Sequence, residues 1–504
     1  MRHSAHLAKA LFAALWFLLT IGCGFGERAD LLILVRANDP ISVAIGRYYA
    51  SARRVPAHRI LELELSAIGE RNEIDAATFA SKIAAPIESY LATQDPEGEI
   101  SILVTTSGIP LRIGHCEESQ PQYPRDCRSA AVDAALAGLG RLSPGLGLLA
   151  ENANPYFGDP RSFDRFRRDQ PEARLRFLVA RITGPSMPQE AQSSLPVALR
   201  RLIDRPNATS SGAAPLWQII ANAPSASRAA ASAALFDPIG ERLRPRGHRV
   251  CDGCTTSTEA SPPAGIIVQG HPESVATATL PERLAFPGLV IAIGGMEDLP
   301  AGEAAASDPP ADEDPFERFL ASWLARGARV ISTHLGDPSL SGVTRPANQL
   351  QAWAEGRTAI EAHFNSVPHL GWLNVFIGDP LLVLAESSRA ESGDLDADGI
   401  PDERDNCLTV SNPAQRDSNH DRIGNRCDPD VDNDGRVDTS WGQIYPLDAR
   451  GDLEAIALTA RNGPYNPDHD LDGDGWVDEN DLALAQLWLF RSPGPSGYTA
   501  AMHD

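Results

Sequence analysis

From Glu27 to about Glu386, apolar residues fall in short unbroken runs separated by amphipathic stretches. Leu31–Val35, Ile60–Leu65, Ile100–Thr105, Leu175–Ala180, Gly265–Val268, Leu289–Ile293 and Arg329–Ser332 have the length and composition of strands. Val43, Ile45, Tyr48 and Tyr49 give the stretch Ser42–Arg53 a helical face. Continuous apolar strands alternating with helices predict an α/β fold, a multi-strand, mostly parallel sheet with flanking helices on both faces. Glu118–Arg128, Ser257–Pro263 and Ala304–Asp314 are rich in Pro, Ser and charge and read as surface loops or insertions. Periodicity stops at about Glu386, so 27–386 is expected to be one domain and 387–393 a linker. Beyond it, Asp and Asn recur at alternate positions, and the apolar positions Leu482, Leu484, Leu487 and Leu489 predict a helix from about Asn480 to Phe490. The expectation is a small irregular tail of calcium loops ending in short helices, with 492–504 flexible.

The first residues follow a different pattern. Arg2 and Lys9 precede an apolar run from Ala10 to Ile21 and then Gly22-Cys23-Gly24-Phe25-Gly26. That run is too short to span a bilayer and fits a signal peptide over 1–26, hence a secreted or cell-surface protein. Cleavage near Gly24 or Gly26 and lipid attachment at Cys23 both stay open. Six cysteines remain: Cys116, Cys127, Cys251, Cys254, Cys407 and Cys427. An even count in an exported chain implies disulfides, and proximity favours 116–127, 251–254 and 407–427. The Cys251–Cys254 spacing also suits redox chemistry or half a zinc site, although its loop-like flanks favour a structural staple.

The chain has 504 residues, 42% of them apolar, and a formal net charge of −23. The charge is concentrated: from Asp394 onward there are 24 Asp/Glu against 8 Arg and no Lys. Such a segment disfavours nucleic acid and suits cations. A calcium loop needs oxygen ligands at positions 1, 3, 5, 9 and 12, a backbone carbonyl at 7, and a tight turn at 6. Four registers fit. The first uses Asp394, Asp396, Asp398, Gly399, the carbonyl of Ile400, Asp402 and Asp405. In the second, Asp417, Asn419, Asp421, the Ile423 carbonyl, Asn425 and Asp428 match, with Arg422 in the glycine place. Asp430, Asp432, Asp434, Gly435, the Arg436 carbonyl and Asp438 form the third, which meets Trp441 at position 12. The fourth is complete: Asp470, Asp472, Asp474, Gly475, the Trp476 carbonyl, Asp478 and Asp481. A solvated acidic linker is the plain alternative. Four registered loops in about ninety residues argue against it, so Ca2+ is the expected cofactor.

Asp402-Glu-Arg-Asp-Asn-Cys407, Asn412-Pro-Ala-Gln415, Asp417, Asn419, Asp421, Gly424 and Cys427-Asp428 resemble thrombospondin type 3 repeats, placed at 394–429. The resemblance implies calcium wrapped by aspartates with little regular structure, and it supports the 407–427 pairing. Residues 470–485 are similar to a dockerin or EF-hand-like repeat, within a region set at 430–491. Upstream, Asp430–Asp438 resumes at Asp452-Leu-Glu-Ala-Ile as though Asp452 matched Asp481 across an insertion. Paired repeats of this kind imply a cohesin-like or other surface protein partner, or an adhesion role.

In the front domain, Leu103–Ile113, Asn154-Pro-Tyr-Phe157, Phe177–Pro185 and Gly378-Asp-Pro-Leu381 resemble an uncharacterised family of exported bacterial proteins, which implies no reaction. Gly265–His271 and Phe376–Pro380 are similar to gingipain-type and caspase-like cysteine peptidases, but the strand Leu289–Ile293 ends in Gly294-Gly295-Met296 with no nucleophile. No other catalytic motif is recognisable. His271, His334 and Asp337 follow expected strands, where α/β sites often lie, and His363 and His369 are close to Asp379 in sequence. Arg181 suits either an anionic ligand or a core carboxylate. Three readings remain: a calcium-stiffened spacer or adhesion protein, a hydrolase, and an assembly component docked through the tail.

Overall fold

The computed structural model describes residues 28–69, 72–114, 130–142, 152–184, 197–204, 215–220, 226–252, 262–269, 280–293, 315–335, 342–371, 373–383, 398–408, 410–439, 451–489, 491–494 and 496–500. The signal segment, most of the three loops, the linker, His271, Asp337, Asp394 and Asp396 lie outside them, as do Cys116, Cys127, Cys254 and Trp441.

The apolar runs become the strands of a ten-stranded sheet. In chain order the strands are β1 (Leu31–Arg36), β2 (Ile60–Leu63), β3 (Glu73–Ile74), β4 (Ile102–Thr106), β5 (Arg112–Ile113), β6 (Ala130–Ala131), β7 (Leu178–Ile182), β8 (Leu216–Ile220), β9 (Arg249–Asp252), β10 (Gly265–Gln269), β11 (Leu289–Ile293), β12 (Val330–His334) and β13 (Asn374–Gly378). The sheet runs β2-β1-β4-β7-β13-β12-β11-β10-β8-β9, while β3, β5 and β6 form a small separate sheet. The large sheet consists of two parallel halves. β2, β1, β4, β7 and β13 point one way. β9, β8, β10, β11 and β12 are parallel among themselves. The halves meet at the antiparallel pair β12/β13, in register from Val330↔Gly378 to His334↔Asn374. At that seam Gly378 has φ +132°, and a Cβ there would overlap the Arg329 carbonyl, so no other residue fits.

The mostly parallel α/β sheet is therefore as expected, with one antiparallel seam. In each half the second strand lies outside the first, which places a switch point between β1 and β4 and another between β8 and β10. Because the halves oppose, the strand carboxyl ends face opposite edges of the sheet.

Local sequence explains the helices. Asp39 caps Pro40–Arg53 by accepting from the Ile41 and Ser42 amides, with Pro at the first position; Arg54 at φ 58° ends it. Thr358 and Glu361 form a capping box on Ala359–Ser366, and Glu361 also accepts from the Phe163 amide at 2.9 Å. Strands β1, β4, β7, β11, β12 and β13 are buried almost throughout, as continuous apolar runs require.

The tail does not stand away from this domain. Its helix Glu479–Trp488 packs on the helix Ala226–Leu243 and on Asp452–Asn462. Arg345, buried at the front of the helix Pro346–Ala354, donates to the Leu487 carbonyl at 2.7 Å. Beyond that helix, Arg491, Gly494, Ser496 and Gly497 are hydrogen-bonded to the loops.

Candidate metal centre

All four expected loops share one backbone design. The position-5 carboxylate accepts from the amide two residues on: Asp398 from Ile400 (2.8 Å), Asp421 from Ile423 (2.8 Å), Asp434 from Arg436 (3.0 Å) and Asp474 from Trp476 (2.8 Å). These bonds orient the peptides whose position-7 carbonyls were expected as ligands. The position-1 carboxylate accepts from the amide at position 6 in the three loops where it is described: Asp417 from Arg422 (3.0 Å), Asp430 from Gly435 (2.7 Å) and Asp470 from Gly475 (3.1 Å). Position 6 is left-handed throughout, with φ of 93° at Gly399, 79° at Arg422, 92° at Gly435 and 93° at Gly475. Arg422 thus holds a conformation that glycine adopts without steric cost.

The loops divide at position 12. Asp481 accepts from the amides of Leu471 (2.7 Å), Asp472 (3.3 Å) and Asp478 (2.8 Å), closing its loop. Asp452 does the same for the third loop, accepting from Val431 (2.8 Å), Asp432 (3.3 Å) and Asp438 (2.8 Å). Asp452 therefore takes the place that Trp441 would have had by count. The clue was the match of Asp452-Leu-Glu to Asp481-Leu-Ala; simple counting to twelve missed it. In the first two loops the closing carboxylate instead sits beside a cysteine. Asp405 is fully buried and accepts from Cys407 N and Gln415 Nε2, both at 2.8 Å, while its Oδ2 has no partner. Asp428, also buried, has no partner for Oδ1. Cys407 and Cys427 form a buried disulfide with a Cα–Cα distance of 5.7 Å.

Carboxylates converge in the third and fourth loops. One oxygen from each of Asp430, Asp432 and Asp434, and likewise from Asp470, Asp472 and Asp481, lies within 4.8 Å of the others. Burial pushes the Asp481 carboxyl up to about 6 and that of Asp452 up to about 7. Burial, then the neighbouring Asp421, raises Asp428, and burial raises Asp405. Asp470 differs: burial pushes it up, but hydrogen bonds from Tyr465 and Arg416 outweigh that and hold it below the usual range. Arg416, from the second loop's approach, donates to Asp470 Oδ2 at 2.9 Å and so ties the second loop to the fourth.

Asn425, expected as a ligand of the second loop, has partners within the protein. Its side-chain oxygen accepts from Ser418 N at 2.8 Å and its amide donates to the Pro467 carbonyl at 2.7 Å, so it links loops. Asn419 donates to Asp428 Oδ2 at 3.3 Å and to Asn433 at 3.1 Å. Asp438 keeps a shielded Oδ1 without a partner, whereas Asp478 caps the helix Glu479–Trp488 through Asn480 N.

Among the described front-domain candidates, His334 and His363 lie near one another in the core, while Arg181 and Asp379 are held in ion pairs of their own. Arg181 pairs with buried Asp133 (2.6 Å) and donates to the Ile109 and Pro110 carbonyls, a core carboxylate rather than an anionic ligand. Asp379 accepts from Arg53 (2.6 Å) and Tyr49 (2.9 Å). His334 ends β12 with no exposed surface, and burial lowers its pKa to about 4. His363 contacts Ser332 Oγ at 3.1 Å and is lowered to about 3, first by burial and then by His334. Cys251 is disulfide-bonded.

Comparison with known proteins bears on the tail. The family model for the thrombospondin type 3 repeat matches residues 392–415 and 416–440. Cartilage oligomeric matrix protein of Rattus norvegicus is 59% identical over 52 residues, and that of Bos taurus 48% over 52, each match covering 8% of this chain and 7% of the relative. The chain thus spans about 7% of the length of the curated relatives it matches. No solved structure matches the chain significantly. Residues 392–440 accordingly carry two thrombospondin type 3 repeats, which are calcium-binding modules. The second matched repeat runs past 429 and takes in Asp430–Asp438, the loop that Asp452 closes.

Proposed function

We propose that this is an extracytoplasmic calcium-binding protein whose four loops, filled with Ca2+, form a rigid brace against the α/β domain. The observation that carries the reading is the pair of buried, unpartnered carboxylate oxygens, Asp405 Oδ2 and Asp428 Oδ1, at the closing positions of the two thrombospondin-type repeats. A buried charge without a partner is costly, and a dication is the group that would relieve it. The ligands are those of the four registers, with Asp452 closing the third and Asn425 withdrawn from the second. The disulfide Cys407–Cys427 fits an oxidising compartment, and among the described residues no helix is long and apolar enough to cross a membrane.

The docked helix Glu479–Trp488 favours a brace over a free spacer. The same contact argues against a cohesin-like partner on that helix, since Ala483, Leu484, Ala485, Leu487 and Trp488 are already buried. A hydrolase reading finds no support at His334, which is enclosed.

Isothermal titration of the chelator-stripped chain tests the proposal. Several calcium ions should bind in the micromolar-to-millimolar range common to extracellular modules. No heat or ordering at millimolar calcium would reject it.

A further inference from the structure

We infer that the stretch Arg491–Gly497, which supplies none of the assigned ligands, is a positioning strap that holds three of the calcium loops and roots them on the front domain. The inference rests on the calcium reading above.

The chain leaves the helix Glu479–Trp488, whose first turn carries Asp481, and runs back over the loops in reverse order. The Arg491 carbonyl accepts from the Val437 amide at 2.8 Å, in the third loop. In the second loop, the Gly494 amide donates to the Cys427 carbonyl at 2.9 Å and the Ser496 hydroxyl to the Arg422 carbonyl at 2.5 Å. The Gly497 amide donates to the Asp405 carbonyl at 2.8 Å, in the first loop.

Every anchor lies on or next to an assigned ligand. Val437 precedes Asp438, Cys427 precedes Asp428, Arg422 sits between Asp421 and Ile423, and Asp405 is itself a closing residue. The approach is close: a Cβ on Gly497 would overlap the Asp402 carbonyl oxygen, and Ser496 is buried. At its root the strap is fixed to the front domain. The Arg491 guanidinium lies 3.7 Å from the centroid of the Phe157 ring and 4.8 Å from that of Trp488.

The physical role follows from what the loops lack. They have no backbone ladder of their own, so ordering them on metal binding costs conformational entropy. A strap that fixes their carbonyls beforehand removes part of that cost and raises affinity without touching the ion. The strap residues are thus positioning residues, and their loss should change affinity rather than the number of ions.

Calcium titration of the full chain, wild type against the double variant Ser496→Ala/Gly497→Val, separates these effects. With about two hydrogen bonds removed, affinity should fall roughly tenfold while the stoichiometry stays that of the wild type. Asp481→Asn, a ligand change, should instead lower the stoichiometry by one. Ser496→Thr keeps the hydroxyl and should retain near-wild-type affinity. Far-UV circular dichroism and front-domain melting in chelator, unchanged in the double variant, will show that the fold is intact. Wild-type affinity in the double variant, or lost ions at unchanged affinity, would overturn the strap. A wild type that binds no calcium would remove the calcium reading itself, and the strap with it.

Discussion

The front domain and the tail both bury carboxylates, and they treat them in opposite ways. In the front domain Asp379 and Asp133 sit in an apolar core, and each is met by a guanidinium, Arg53 and Arg181 respectively. The surrounding order comes from strands buried almost throughout and from large enclosed side chains such as Trp217, Trp323 and Trp353. In the tail, Asp405, Asp428, Asp452 and Asp481 are as deeply buried, yet backbone amides and neighbouring aspartates surround them, and burial raises their pKa. Asp470 is the exception, because Arg416 reaches it from another loop. One region meets its buried acids with guanidinium groups of its own chain; the other leaves Asp405 Oδ2 and Asp428 Oδ1 without a hydrogen-bond partner among the described residues.

The sharpest break between the two should come from removing one buried acid on each side. Asp379→Ala strands Arg53 in the core and should cost the front domain about 3–5 kcal/mol in urea unfolding. That loss should be the same in calcium and in chelator; a loss that vanished with calcium would erase the contrast.

Acid should sharpen it next. The unfolded chain protonates histidine near pH 6.5, whereas folded His334 and His363 do so only near about 4 and about 3. Between those values the unfolded state binds more protons, so front-domain stability should decline as pH falls from 6.5 toward 4. The decline should reach roughly 3 kcal/mol for each histidine. His363→Asn should remove one of the two contributions, read as a shallower acid limb of the melting temperature.

The smallest effect carries the opposite sign. Asp405→Asn replaces a buried carboxylate whose Oδ2 is unpartnered. In chelator it should stabilise the tail by about 1–2 kcal/mol, followed by hydrogen exchange, while calcium affinity falls. Destabilisation in chelator would mean that this carboxylate is already satisfied by the chain.

The sequence made the front strands readable because burial on both faces leaves unbroken apolar runs. Leu289–Ile293 was placed to the residue, while the run expected at Leu175–Ala180 begins its ladder only at Leu178. β8, β9 and β13 were not predicted as strands: β8 carries a polar Gln218, β9 carries Arg249 and Asp252, and β13 begins with Asn374 and ends in glycine. The seam was out of reach, since no local pattern records whether two strands distant in sequence run parallel or antiparallel. In the tail the loop turns were legible because the expected chemistry fixes spacing within a loop, and position 6 is left-handed in all four. Closure by Asp452 falls outside that count, and spacing is silent about it. Spacing is equally silent about the bonds that Asn425 makes to the Ser418 amide and the Pro467 carbonyl.

The seam between β12 and β13 has an electrical consequence. In a parallel α/β layer the crossover helices align with one another, their positive amino ends gathered at the edge where the strands finish. A ten-stranded sheet of one polarity would add all of those dipoles in the same sense. Reversing the second half at Val330–His334 sets one bank of dipoles against the other. The domain then carries two modest, separated positive fringes at opposite ends in place of one strong pole.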